Sequence, residues 1–267
     1  MTLLRHHLAH TWRLGAGAAA GMFVFYWLAM HVFKGLVLPI GVGAIAARLP
    51  KPLLSALGID ELPIDSVRGY LAVHAQHPFV LMVLMAVPVA MCTGLLTGDV
   101  ERRTLALVLV RRVRRAGVVG SAASVCALWL ALGVASGLAG TVAGARMAGV
   151  ADLPGIRVLL GIAASQYLLM LAVEGIALVF SAAASERSEA VAWTLVVVLI
   201  MYVWNFLAQF WPVAQPVARW MLFHYFEPKS VLLSGGLDAR PAAVLGAVAA
   251  AGFLVAVAVF TRREFNI

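Results

Sequence analysis

One carboxyl group stands near the middle of an otherwise uncharged apolar run: Glu174, within Val158–Ser185. A charge at the centre of a bilayer costs about 2.5–3.5 kcal/mol on insertion scales, so such a residue faces a cavity or a polar partner rather than lipid. In helical steps, Tyr167, Met170, Glu174 and Ser181 share one face. In the next apolar run Tyr202, Asn205 and Gln209 line up at i, i+3 and i+7. Tyr167, Glu174, Tyr202, Asn205 and Gln209 together predict a polar-lined path for a substrate. The competing reading is interhelical hydrogen bonding that fixes packing, at about 1 kcal/mol per contact or less.

Soluble catalytic chemistry has no support. The three lysines, Lys34, Lys51 and Lys229, follow Phe, Pro and Pro, so no Gly-Lys phosphate loop exists and nucleotide hydrolysis on this chain is excluded. The His-Glu-x-x-His and Gly-x-Ser-x-Gly patterns are absent. His6, His7 and His10 fall on a basic segment without carboxylate partners and predict no metal. Cys92 and Cys126 lie inside apolar runs and read as reduced, packed thiols. The chain is not expected to be an enzyme by itself and needs no cofactor of its own.

The elements that must position these residues are membrane spans. Sixty-three per cent of the 267 residues are hydrophobic and 12% are charged, against about 45–50% and 25% in soluble domains. Six apolar runs follow one another: 15–40, 79–97, 116–145, 158–185, 190–211 and 241–261. Each can cross about 30 Å of hydrocarbon as a helix. Nothing alternates as a barrel strand would. The fold class is an all-α membrane protein, one transmembrane domain over 1–267. In the third run Gly133, Gly137, Gly140 and Gly144 form a stripe that lets another helix approach closely.

Residues 1–14 mix Leu3, Leu4, Leu8 and Trp12 with Arg5, Arg13 and the three histidines, which predicts an amphipathic helix on the membrane surface. Residues 41–77 and 213–240 read as outer segments. In the second, Trp220, Phe223, Tyr225 and Phe226 form an aromatic cluster suited to the headgroup level. The net charge of +8 serves topology and anionic lipid rather than nucleic acid. The short segment 98–115 alone carries Arg102, Arg103, Arg111, Arg112, Arg114 and Arg115. That density predicts a cytoplasmic loop and both termini in the cytoplasm.

The same segment has an acidic start, Asp99 and Glu101, an apolar middle and a basic end, a pattern that complements a helix dipole. Its leucines and valines suit a membrane surface or a partner's groove. Here the chain resembles the membrane subunits of ABC-2 type transporters. Glu101, Thr104, Leu105, Val108, Leu109, Arg111, Val113 and Arg115 match that family's pattern between its second and third spans. Arg103, Arg112 and Arg114 depart from it, where glycine, proline and a small polar residue are usual. Phe260-Thr261-Arg262-Arg263-Glu264-Phe265 is similar to the family's last-span ending, and Phe223-His224-Tyr225-Phe226-Glu227-Pro228 to a stretch before that span.

The resemblance implies a half-transporter, mostly of exporter type, in a bacterial inner membrane. It would work with separate cytoplasmic ATPase subunits holding ATP and Mg²⁺, and with a second permease subunit, identical or paralogous. Residues 98–115 would be the coupling helix, with Asp99, Glu101, Arg102, Arg103, Thr104 and Leu105 at the contact. A non-transporting membrane scaffold or regulatory subunit is the alternative.

Overall fold

The computed structural model describes residues 3–41, 65–102 and 114–263. Every described element is a helix. Helix α1 is Leu3–Val32, prolonged by a π-helical turn, Phe33–Val37, and by Leu38–Ile40. Helix α2 is Val67–Gln76 and α3 is Pro78–Cys92, which continues through a π turn, Thr93–Thr97, into Gly98–Glu101. Helix α4 is Arg115–Met147, α5 Ile156–Ala183 and α6 Arg187–Leu207. A short α7, Pro228–Ser234, precedes α8, Ala239–Arg262.

Six helical stretches are long and apolar enough to cross a membrane: Leu3–Ile40, Val67–Glu101, Arg115–Met147, Ile156–Ala183, Arg187–Leu207 and Ala239–Arg262. At 1.5 Å per residue the 33 residues of α4 reach about 50 Å, well beyond a hydrocarbon core of about 30 Å.

The breaks follow local chemistry. His77 is extended and Pro78 starts α3, since the residue before proline disfavours the helical region. Ser66 caps α2, its hydroxyl accepting from the Gly69 amide at 3.0 Å. Gly149 and Gly235 take left-handed φ values of 68° and 81° just after α4 and α7, a conformation glycine adopts without strain.

Residues 3–14 differ from expectation. They are the first turns of α1 rather than a separate surface helix. His7 and Thr11 are buried against α4: His7 Nδ1 shares a 3.1 Å hydrogen bond with Ser121 Oγ, and Trp129 Nε1 donates to Thr11 Oγ1 at 3.1 Å. The Trp129 indole lies directly over Gly15, where any Cβ would collide with it. The His7, Thr11 and Gly15 side of this segment is an inter-helix seam, while Arg5, His6, His10, Trp12 and Arg13 are exposed.

Helices α1 and α4 run parallel, since His7 meets Ser121 near one end and Trp27 Nε1 donates to Met147 Sδ at 3.3 Å near the other. Of the glycine stripe, Gly137 lies against Tyr26, Gly140 against the Phe23 carbonyl and Gly144 against the Trp27 carbonyl; Gly133 meets nothing within 4 Å. A second close crossing, not legible in one run alone, joins α5 to α8, also parallel. There Gly175 and Gly252 touch backbone to backbone. Helix α5 forms the centre, with Leu169, Met170, Ala172, Val173, Ala177 and Leu178 all buried.

The course of the six stretches puts the starts of α1, α4 and α6 at one end, with the ends of α3, α5 and α8. Arginines bind this end together. Arg115 Nη1 donates to the Thr261 and Arg263 carbonyls at 3.2 and 2.6 Å. Arg263 donates to the Ala182 and Ala184 carbonyls at 3.1 and 2.6 Å and to Ser185 Oγ at 2.8 Å. Guanidinium groups thus satisfy carbonyls that a helix C-terminus leaves open.

Candidate functional site

Two polar regions frame the bundle. The first is where α3 leaves it at the arginine end. Glu101 Oε2 accepts a hydrogen bond from the Arg187 backbone amide at 3.0 Å, which supplies an acceptor to the exposed start of α6. The Arg187 side chain turns the other way and donates to the Ala90 carbonyl at 3.3 Å and to Thr93 Oγ1 at 3.4 Å. Both acceptors lie beside the α-to-π transition of α3, where the helical ladder shifts register. Asp99 is half-buried, while Glu101, Arg102 and Arg114 are exposed. Of the predicted docking residues, Asp99, Glu101 and Arg102 are therefore placed at this rim. Arg103, Thr104 and Leu105, and with them most of the predicted coupling helix, lie outside the described residues.

The second region is a cavity of about 750 Å³ lined by Gln76, Asn205, Gln209, Glu227, Lys229 and Ser230, among others. A narrower extension of about 120 Å³ shares Gln76, Asn205 and Gln209 and adds Tyr202. Helix α6 supplies Tyr202 and Asn205, the turn after it Gln209, α2 supplies Gln76, and the start of α7 supplies Lys229 and Ser230. Asn205 lies eighteen residues along α6 from Arg187, which puts the cavity about 27 Å from the arginine end.

The structure brings Tyr202, Asn205 and Gln209 together, and it separates them from Tyr167 and Glu174. The hydroxyl of Tyr167 donates to the Ala127 carbonyl of α4 at 3.3 Å. Glu174 is 3% exposed and sits inside the bundle, with its Oε2 lacking a hydrogen-bond partner. Ser181 Oγ, on the same face, also lacks one, while its carbonyl accepts from Thr97 Oγ1 at 3.0 Å. Of the five residues, Tyr202, Asn205 and Gln209 line the cavity and its extension, and Tyr167 and Glu174 are not among the lining residues.

Several cavity residues carried no signal of their own. Gln76 reads as an ordinary polar residue before Pro78, and Glu227 and Lys229 flank Pro228 as in any turn. The aromatic cluster splits. Phe223 and Phe226 are buried core residues that also line the cavity, Tyr225 is half-buried, and Trp220 is 74% exposed. Another inter-helix bond went unread: Gln166 Nε2 donates to the buried Tyr26 hydroxyl at 2.6 Å, tying α5 to α1.

Six helical stretches long and apolar enough to cross a membrane, with every described element a helix, mark the class as a multi-pass α-helical membrane protein. The sequence matches no protein-family model and no curated protein.

Proposed function

We propose that this chain is the transmembrane subunit of an ATP-driven transporter of ABC-2 type, an exporter in a bacterial inner membrane. Its partners are separate cytoplasmic ATPase subunits, which bind ATP and Mg²⁺, and a second permease subunit. Both of its ends face the cytoplasm. Residues 98–115 dock on the ATPase.

One observation carries the reading. Arg102 and Arg114, which flank the middle of the segment, are both exposed at the arginine end. Its flanks are tied to that end by Glu101 to α6 and by Arg115 to α8. A displacement of the segment is thereby delivered to α3, α4, α6 and α8 together. Closure of the ATPase pair then rocks the membrane halves. The cavity beside Asn205 and Gln209 offers a polar-lined space at the opposite end for a substrate.

The test is to purify the chain from its membrane and identify what accompanies it. An ATPase subunit is expected, with hydrolysis stimulated by the permease. Glu101→Arg should abolish the stimulation. Glu101→Gln keeps an acceptor for the Arg187 amide and controls for loss of that bond. A stable complex without an ATPase would refute the transporter and establish the scaffold reading.

A further inference from the structure

Cys92 on α3, Cys126 on α4 and Glu174 on α5 come from three helices and meet at one point. One donor atom from each lies within 4.8 Å of the others, and all three residues are buried. Glu174 Oε2 remains unpartnered in a residue 3% exposed. A buried carboxyl oxygen without a partner is a cost that packing alone does not explain. Cys92 is bracketed by backbone irregularity, with Pro88 inside α3 before it and the π turn Thr93–Thr97 directly after. Such π segments occur often at functional sites.

We propose that Cys92, Cys126 and Glu174 bind one soft divalent d¹⁰ metal ion of the zinc class. Two sulfurs and one oxygen suit a soft or borderline ion and not magnesium or calcium. Metal–sulfur bonds of about 2.3 Å and metal–oxygen bonds of about 2.0 Å, in a tetrahedron, place donors about 3.5–3.8 Å apart. A set already within 4.8 Å closes by side-chain adjustment of about 1 Å. On binding, the two thiols lose their protons to solvent and their thiolates balance the divalent charge. The Glu174 carboxyl also releases its proton to solvent and, as a carboxylate, supplies the third donor through Oε2, which leaves the loaded site with one net negative charge. A fourth position of the tetrahedron stays open.

The site sits at one depth on all three helices. Cys92 is nine residues from Glu101, Cys126 eleven from Arg115 and Glu174 nine from Ala183. That is about 14–17 Å from the arginine end, close to the middle of a hydrocarbon core of about 30 Å. Thr93, Thr97 and Ser181 are buried polar residues on α3 and α5 between that end and the site. This inference is independent of the transport reading, because metal binding needs neither an ATPase nor a second subunit.

The test uses the full chain in detergent, reduced and stripped of metal, with Cd²⁺ and then Zn²⁺ as probes. The expected result is a thiolate-to-cadmium charge-transfer absorption that saturates at one ion per chain. X-ray absorption of the zinc-loaded wild-type protein should show two sulfur neighbours. Cys92→Ser with Cys126→Ser should remove the band while the protein still elutes as a single symmetric species. Glu174→Gln should weaken binding by at least the ~10-fold that a lost outer-shell partner costs. Absence of a band at one equivalent overturns the proposal. So does a zinc environment of nitrogen and oxygen alone, which would place the ion at His6, His7 and His10. Wild-type affinity in Glu174→Gln would remove the carboxyl from the site and overturn the three-donor assignment.

Discussion

The seam between α1 and α4 makes a quantitative prediction about single methyl groups. At Gly144 an added Cβ would sit 2.6 Å from the Trp27 carbonyl oxygen and 3.0 Å from its Cα, whereas ordinary contact begins near 3.4 Å. The obstacle is backbone, so no rotamer change relieves it, and α1 must retreat by about 0.8 Å at that turn. Gly140 faces the Phe23 carbonyl still more closely. At Gly133 the same methyl meets nothing within 4 Å. Overpacking of a well-packed contact costs about 1–3 kcal/mol. At about 2–4 °C per kcal/mol for a chain of this size, Gly144→Ala should lower the melting temperature by about 2–12 °C. Gly140→Ala should do at least as much. Gly133→Ala should be neutral or slightly stabilising, since alanine is favoured over glycine in a helix by up to about 1 kcal/mol. Heating detergent-solubilised protein and following the surviving monodisperse peak by size exclusion measures all three. If Gly144→Ala and Gly133→Ala melt within a degree of each other, the close approach of α1 and α4 is refuted.

Three further outcomes can be checked directly. Gly15→Ala should destabilise by about 1–3 kcal/mol because Trp129 covers that position, and Trp129→Leu in the same chain should recover part of the loss, a coupling that a double-mutant cycle on thermal stability would read. Arg263→Ala leaves the Ala182 and Ala184 carbonyls without a donor and should cost about 1–3 kcal/mol, with Arg263→Lys restoring only part because an ammonium cannot reproduce the guanidinium fork; thermal stability equal to wild type would count against the clamp. Cysteines introduced at positions 2 and 266 should both label from the same side of sealed vesicles, and labelling from opposite sides would contradict the six-stretch course of the chain.

How much of this was legible depends on whether a feature lies within one run or between several. The spans were readable because apolar length is a local property; the last four runs end within a few residues of their helices, whereas the first two helical stretches begin twelve residues earlier than their apolar runs, at Leu3 and Val67. The fate of residues 3–14 was not readable. A polar and small stripe at His7, Thr11 and Gly15 has the same period whether it faces headgroups or another helix, and only the register against Ser121 and Trp129 decides. Glycines spaced at helical intervals announced one close crossing, but not that its partner would be the parallel α1. Gly175 and Gly252 announced nothing singly. The alignment of Tyr202, Asn205 and Gln209 was local and so was visible, whereas the cavity they line also needs Gln76, more than a hundred residues away in the chain. Cys92, Cys126 and Glu174 each read as isolated residues in apolar runs. Their meeting depends on the relative registers of three helices, a quantity no single stretch of sequence contains.

The arginine clamp also imposes an order on the making of the molecule. As the chain is synthesised, α4 enters with Arg115 and α5 finishes at Ala183 well before the acceptors and donors that complete them exist. Arg115 waits for the carbonyls of Thr261 and Arg263, and the end of α5 waits for the guanidinium of Arg263. Until the sixth spanning helix has threaded in beside α5, both ends stay open to water or to whatever holds the nascent chain. Insertion of α8 then closes α4 and α5 in one step, so the last turn of that helix is the point at which the newly made protein becomes distinguishable from its unfinished precursors.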